Sequence, residues 1–257
     1  ATMERIFPFA PKNGAKKGFF QNINFQYAGR AENRIITTED DLFGPKMFDN
    51  AKTGMNHKIP LNTNFKVFKF FSVSTGINFE EVWTQNTLRY NDFNVETNSV
   101  VIDTIRKVGA FRQYSLNASI GTTIYGTVNF KEGSKIQSIR HTVRPSIGYS
   151  NRPSFEQYYD TYIIDADGNT AEYTRFQNSL FGVPTRGVAN AMSIGIGNNL
   201  EAKVRDDIDS TATEPKKIVL LNNLNISTSH NFAADSLRWS PVRMGTMFSL
   251  LKNKMKI

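Results

Sequence analysis

The stretch from residue 54 to residue 83 constrains the fold more than any other part of the chain, because apolar and polar residues alternate along it. Its first half separates into a mostly apolar set and a polar set, namely Ile59, Leu61, Thr63, Phe65 and Val67 against Asn56, Lys58, Asn62, Asn64 and Lys66. After a short turn near residues 68–70 the alternation resumes. Since successive side chains of a strand point to opposite faces, the stretch predicts a long antiparallel hairpin with one apolar and one hydrophilic face.

The length of the two arms indicates the kind of sheet to which this hairpin belongs. Each arm has about a dozen residues or more, whereas a strand in a globular protein averages roughly 5–6 residues. A membrane β-barrel needs long strands that are apolar toward lipid and polar toward a wet lumen. The stretch therefore predicts an antiparallel transmembrane β-barrel. A soluble β-sandwich or a solenoid is the alternative.

The same alternation recurs along the chain and predicts about nine long strands. One of them is expected over residues 18–34 and another, without interruption, over residues 113–124. The connections alternate between short and long, as in outer-membrane barrels with short periplasmic turns and longer external loops. The expected periplasmic turns lie near residues 10–17, 68–70, 127–135 and 206–216. The expected external loops lie near residues 36–53, 90–108, 152–187 and 232–241, and Asp167-Gly168 predicts a small hairpin within the longest of them.

The number of strands indicates that the barrel is larger than this chain. The predicted number of strands, about nine, is odd, whereas closed bacterial barrels built from one chain usually have an even number of strands. An open sheet in lipid would leave unpaired backbone groups at both edges, each at a cost of several kcal/mol. We therefore expect residues 1–257 to be an internal part of one outer-membrane β-barrel domain, without an internal domain boundary and with further strands outside it.

The residue types argue against catalysis and against a bound metal or cofactor. The chain has no cysteine, which excludes disulfides, thiolate metal sites and a cysteine nucleophile. The histidines, His57, His141 and His230, share no metal-ligand spacing and fall on the apolar, outward faces of their strands. Residues 165–169 lack the full pattern of a calcium loop, and Gly195-Ile196-Gly197 lacks the third glycine and the helix of a dinucleotide fingerprint. With no catalytic arrangement of residues either, the sequence predicts neither an enzyme nor a cofactor.

The positive charge of the chain points to an anionic ligand. Lysine and arginine number 31 against 23 acidic residues, which gives a formal net charge of +8. The sequence contains no Lys/Arg-rich helix or RNA-binding motif, so we do not expect a nucleic-acid partner. Basic side chains on the polar strand faces could attract phosphates, or could pair with acidic neighbours and water. By register, the basic residues that face the lumen are Lys58, Lys66, Arg140, Arg144, Arg152 and Lys203.

Two prolines lie inside predicted strands. Pro60 and Pro145 lack the N–H group that a β-ladder uses, so each weakens strand pairing locally. One hypothesis is that each lies at an edge, at a bulge or outside the membrane band. The other hypothesis is that the two prolines make a seam at which weak strand pairing serves the function.

Four segments of the chain resemble the barrel of the LptD/OstA lipopolysaccharide-assembly proteins, in the form found in Bacteroidetes. They are residues 7–9 (FPF), 54–61 (GMNHKIPL), 139–153 (IRHTVRPSIGYSNRP) and 231–241 (NFAADSLRWSP). The resemblance implies a periplasmic β-jellyroll joined to a very large barrel. An LptE-like lipoprotein plug sits inside such a barrel, and periplasmic Lpt bridge proteins are further implied partners. A seam between the first and last strands releases lipopolysaccharide into the outer leaflet.

The chain departs from this family pattern in several ways. It contains no segment that resembles the jellyroll, has fewer strands than the whole barrel, and lacks the cysteines of proteobacterial members. The gate prolines of the family are therefore not assigned to Pro60 or Pro145. What the resemblance implies is a non-enzymatic outer-membrane translocon component, in contact with lipopolysaccharide and outer-membrane lipids. The alternatives are a porin or TonB-dependent nutrient transporter, and a soluble adhesin or structural β protein.

Overall fold

The computed structural model describes residues 1–49, 51–131, 133–205, 216–247, 249–250 and 255–256. Strands make up nearly all of its regular structure. In chain order they are β1 (Thr2–Ile6), β2 (Asn24–Arg34), β3 (Lys52–Val67), β4 (Phe71–Thr84), β5 (Thr87–Tyr90), β6 (Ile102–Ile105), β7 (Gly109–Gly121), β8 (Ile124–Asn129), β9 (Ile136–Arg152), β10 (Tyr159–Ile163), β11 (Thr170–Thr174), β12 (Ala189–Val204), β13 (Lys216–Asn231), β14 (Arg243–Gly245), β15 (Ser249–Leu250) and β16 (Met255–Lys256). The helical segments are α1 (Gly18–Gln21), α2 (Pro45–Asp49) and a 3-10 turn over Glu156–Tyr158.

A ten-stranded sheet dominates the fold. Its strand order is β1-β2-β3-β4-β7-β9-β12-β13-β14, and β8 is attached to β9. Strands β3, β12 and β13 each have 16 residues and β9 has 17. The predictions of an all-β antiparallel fold and of a long hairpin over β3 and β4 are confirmed. The long strands of this sheet are consistent with a segment of a larger barrel.

The apolar faces of the long strands are not covered by other parts of the chain that the structure describes. Large outward side chains such as Leu61, Ile77, Ile147 and Ile196 are exposed. An uncovered apolar face of this extent is expected of a sheet that contacts lipid. The described helices are all too short and too polar to cross a lipid bilayer.

The chain divides into two compact units. Unit 1 comprises residues 1–63, 76–116 and 151–189, and unit 2 comprises residues 64–75, 117–150 and 190–257. The buried core of unit 1 consists of Val82, Phe111 and Phe176. That residues 1–257 belong to a single barrel domain stays a prediction.

The strand expected over residues 18–34 begins later than predicted. A short helix, α1, occupies Gly18–Gln21, and β2 begins only at Asn24. Gly18 has a φ of +66°, in the left-handed region that a strand cannot use. The Lys17 N–H donates to Oε1 of Gln21, which holds the turn closed.

The strand expected over residues 113–124 is interrupted. Strand β7 ends at Gly121, and β8 begins at Ile124. The break lies opposite Pro145 of β9, whose carbonyl accepts a hydrogen bond from the Thr122 N–H at 3.2 Å. Because proline has no N–H to return, the ladder cannot be completed there.

Two of the loops contain strand pairs, of which the sequence predicted one. The 90–108 connection contains β6, which pairs with β5 and was not predicted. The small hairpin around Asp167-Gly168 is confirmed as β10 and β11. Its turn is closed by Asp165, whose pKa is lowered chiefly by hydrogen bonds from the Asn169 side chain and backbone. The turn expected at 206–216 lies almost wholly outside the described residues.

Candidate functional site

The polar face of the sheet in unit 1 carries a network centred on Glu80. Its carboxylate accepts hydrogen bonds from the Asn56 amide at 2.8 Å and from the Gln113 amide at 2.7 Å. The Lys58 ammonium lies 3.5 Å from the same carboxylate. These side chains come from β3, β4 and β7, and they share one face because of the two-residue period of each strand. We call Asn56, Lys58, Glu80, Gln113 and Thr185 the covered network.

The long connection between β9 and β12 lies on this face. Thr185 donates from its backbone N–H and its hydroxyl to Oε1 of Gln113, at 3.2 and 2.8 Å. Nearby, Phe176 packs against Phe111 with ring centroids 5.0 Å apart. The connection therefore both hydrogen-bonds and packs against the polar face of unit 1.

Sequence reasoning missed this covering, although a signal for it exists. Phe111 and Val82 are completely buried, yet by alternation they fall on the same face as Gln113 and Glu80. Apolar residues on an otherwise polar face need a cover. The packing of a loop against that end of the strands could have been predicted from those two positions.

The outward face of unit 1 carries a polar and aromatic row. The Tyr27 hydroxyl is 2.7 Å from Nδ1 of His57, and the His57 ring lies 4.6 Å from the Trp83 ring. Trp83 donates from its indole N–H to Glu81, and the guanidinium of Arg112 binds the same carboxylate. Amphipathic rings of this kind are typical of the interface between lipid and water.

The other two histidines are also held by their strand neighbours. His141 contacts the Asn198 amide at 3.2 Å, and the His230 ring lies 4.8 Å from the Trp239 ring. Among the described residues no three metal-ligating side chains cluster.

Unit 2 contains an open groove that is rich in positive charge. Its volume is about 490 Å³, and its lining includes Arg140, Lys203, Lys217 and Glu201. Lys203 and Lys217 are direct cross-strand partners in the β12–β13 ladder. The Lys217 ammonium is 2.8 Å from the Glu201 carboxylate. We call these four residues the basic groove.

The charges of the described residues that line the basic groove are not balanced. Like charges directly opposite each other on a sheet destabilise it. Glu201 is engaged by Lys217, and Lys203 makes no ion pair with any described residue. The Arg140 guanidinium lies over the Tyr125 ring, 4.6 Å from its centroid. Three cations against one carboxylate favour binding of an anion such as a phosphate.

The structure brings together some of the predicted basic residues and separates others. Arg140 and Lys203 share the basic groove, and Lys217 joins them although the sequence analysis did not single it out. The sequence could have indicated Lys217, because it directly precedes Ile218, which faces outward, and therefore falls on the polar face. Lys58 belongs to the covered network instead.

The remaining predicted cations lie elsewhere. Arg144 lies beside Gly197 of β12. A Cβ added to Gly197 would be 3.8 Å from the Cβ of Arg144. Lys66 lines a separate groove with Ser72 and Ser119. Nε of Arg152 is buried and has no hydrogen-bond partner in the part of the chain that the structure describes.

Both strand prolines occupy inner strands of the sheet. Pro60 is on β3, between β2 and β4, and Pro145 is on β9, between β7 and β12. The β2–β3 ladder passes from Phe25↔Leu61 to Ala28↔Lys58, so Pro60 lies in an unpaired gap between described residues. Each proline thus coincides with a local break in pairing.

The model of the family described as LptD protein matches residues 1–257. No curated protein and no solved structure matches the chain.

Proposed function

The chain belongs to the LptD protein family, and we propose on that basis that it inserts lipopolysaccharide into the outer leaflet of the bacterial outer membrane. The family is an outer-membrane family, and its members are components of lipopolysaccharide transport rather than enzymes. In the proposed mechanism the lipid passes physically and no bond is made or broken. Sugar and phosphate groups travel along the polar faces of the strands, while the acyl chains leave toward the membrane.

The charge excess of the basic groove is the observation that carries this proposal. Arg140, Lys203 and Lys217 outnumber Glu201, so the groove presents net positive charge to a phosphorylated glycolipid. Arginine binds phosphate in a bidentate manner, and lysine acts as a point charge. We assign the first phosphate contacts to this groove.

The other predicted cations have different roles in this proposal. Arg144 lies on the same strand and the same face as Arg140, four positions away, and extends the positive track. Lys66 and Arg152 supply further lumen charge. Lys58 has its charge neutralised by Glu80, so it stabilises the covered network and contributes little to ligand attraction.

The prolines are proposed to weaken strand pairing locally. Pro60 and Pro145 lie at breaks in their ladders, which supports a sheet that can flex at these points. Because both are on inner strands, we do not assign the lateral seam to them.

Two further parts of the proposal concern the protein partners of this chain and its lineage within the family. We propose an LptE-like lipoprotein plug and periplasmic Lpt bridge proteins as partners, and membership of the Bacteroidetes form of the family. The quoted segments at 54–61, 139–153 and 231–241 support that lineage.

The test is to remove charge from the groove in the full-length protein in cells. Arg140→Gln with Lys203→Gln should slow the rate at which newly made lipopolysaccharide becomes surface-accessible. Lys12→Gln with Lys107→Gln removes the same charge from a turn and a loop and should leave that rate unchanged. Barrel assembly is followed by heat-modifiable migration on gels.

A specific result would favour nutrient transport instead. If depletion of the full-length protein stopped uptake of one small nutrient while surface lipopolysaccharide appeared at its normal rate, the porin or transporter alternative would replace this proposal.

A further inference from the structure

Strand β8 is bonded on one side only. It pairs with β9, and no other described strand pairs with it. All six of its residues are exposed. A Cβ on Gly126 would meet no atom within 4 Å. Strand β8 therefore leaves an open sheet edge in unit 2.

The backbone groups on this open edge can be identified. The N–H of Thr122 donates to Pro145, and the N–H of Phe130 donates to Gln137. Hydrogen-bonded pairs alternate along an antiparallel ladder, so residues 124, 126 and 128 also bond to β9. The N–H and C=O groups of Tyr125, Thr127 and Asn129 consequently point away from β9.

The sequence of β8 does nothing to protect the edge. Natural edge strands are commonly blunted by lysine, proline, a bulge or a covering segment. Residues 124–129 read IYGTVN, with neither a charge nor a proline. Such an edge is a template for an added strand from another polypeptide.

The neighbouring side chains define the chemistry of that added strand. Arg140 lies over the Tyr125 ring, so its guanidinium is close to a side chain of β8 on that face. On the opposite face, Ile124 and Val128 are 56% and 60% exposed. One face therefore suits acidic side chains and the other suits aliphatic ones.

We propose that the β8 edge binds an extended acidic segment of a partner protein, which adds one strand to the sheet. Acidic side chains at alternate positions would lie toward Arg140, and aliphatic side chains between them would lie beside Ile124 and Val128. Backbone hydrogen bonds to Tyr125, Thr127 and Asn129 would hold the segment.

The first experiment uses the full-length protein in detergent and a fluorescent synthetic peptide in which glutamate and valine alternate. Binding is measured by fluorescence anisotropy, beside a peptide with lysine in place of glutamate. Thr127→Pro removes an outward N–H without touching the bonds to β9, and should weaken binding of the glutamate peptide about tenfold or more. Thr127→Ala keeps the N–H and should bind as the parent protein does. Equal binding of both peptides, or unchanged affinity in Thr127→Pro, would overturn the proposal.

A cross-linking measurement decides the question if Thr127→Pro fails to assemble. Because residues 1–257 contain no cysteine, Thr127→Cys and Val128→Cys each introduce a single thiol into this segment, and the full-length parent protein is the control. A glutamate–valine peptide with cysteine at one glutamate position, activated as a thiopyridyl mixed disulfide, should exchange with the thiol of the first variant and release thiopyridone, because that side chain lies on the Arg140 face. Equal cross-linking to both variants would show that no register is defined and would overturn strand addition.

Discussion

The covered network and the basic groove are built from the same kind of strand and differ in what balances their charge. In the covered network, Lys58 is matched by Glu80, and Asn56 and Gln113 bond to the same carboxylate. A loop adds Thr185 to this set. The described lining of the basic groove has three cations and one carboxylate, which pairs with Lys217, and no loop is seen over it among the described residues.

This difference separates a structural polar face from the face that we propose binds a ligand. Buried polar groups are usually hydrogen-bonded, and in the covered network Asn56 and Gln113 both donate to Glu80. An open groove can leave cations exposed to water, where they cost little and remain available to an anion. Polarity of a strand face therefore does not by itself indicate a binding site, and we expect charge imbalance on an open face to be the better indicator.

The largest expected effect comes from removing the cover over the covered network. Phe176 is completely buried against Phe111 and Tyr158. Phe176→Ala should destabilise unit 1 by about 3–5 kcal/mol, because it leaves a cavity between loop and sheet. The measurement is limited proteolysis of the 153–187 loop, together with denaturant unfolding of the full-length protein in detergent. Val183→Ala, at a 42% exposed site in the same loop, serves as the control. A loop as resistant to protease as in the parent protein would contradict the role given to Phe176.

A second substitution pair tests which face meets lipid. Ile77 and Asn78 are neighbours on β4 and point to opposite faces. Ile77→Lys should destabilise the full-length barrel by up to about 2–4 kcal/mol if it lies near the bilayer midplane, and Asn78→Lys should cost much less. Denaturant titration in lipid gives both values. Equal costs, or the reverse order, would mean that the polar face is not the lumen face.

A third prediction concerns the balance within the covered network. Glu80→Gln keeps the size of the side chain and removes its charge. One of the donors from Asn56 and Gln113 would then face an amide NH₂, and Lys58 would lose its counter-charge. We expect a loss of about 1–3 kcal/mol in the free energy of unfolding, as for hydrogen bonds to a charged group. No change in denaturant midpoint would show that the network adds nothing to stability.

Local alternation predicted the framework from which both regions are built. The hairpin of β3 and β4 and the small loop hairpin of β10 and β11 follow from patterns within a few residues. Arg140 and Lys203 were placed on the polar face by the same reasoning. All of these depend on residues that are near one another in sequence.

The remaining features depend on contacts that are distant in sequence or on single residues. Burial of Phe111 requires Phe176, which approaches from a separate loop. The break between β7 and β8 requires Pro145 of the next strand, so β7 and β8 look continuous in their own sequence. The late start of β2 depends on the positive φ of Gly18. The pairing of Lys203 with Lys217 depends on the register of β12 and β13, which shifts near Leu200.

The smallest expected effect comes from replacing the glutamate of the basic groove by glutamine, the same change as Glu80→Gln in the covered network. The Glu201 and Glu80 side chains are 23% and 24% exposed and their lysine partners are 59% and 61% exposed, so water screens both ion pairs alike. Glu80 also accepts hydrogen bonds from Asn56 and Gln113, so Glu201→Gln should lower the free energy of unfolding by less than about 1 kcal/mol, below the cost of Glu80→Gln. It should also leave Arg140, Lys203 and Lys217 without a carboxylate from the described lining of the groove, which raises the affinity of the groove for an anion. Inorganic phosphate should then raise the thermal midpoint of Glu201→Gln more than that of Glu80→Gln, because a ligand that binds only the folded protein stabilises it. The thermal midpoints of both variants, measured with phosphate and with chloride at matched ionic strength, provide the test. If Glu201→Gln costs as much as Glu80→Gln and phosphate protects neither variant, the two regions do not differ in charge balance and the groove is not an anion site.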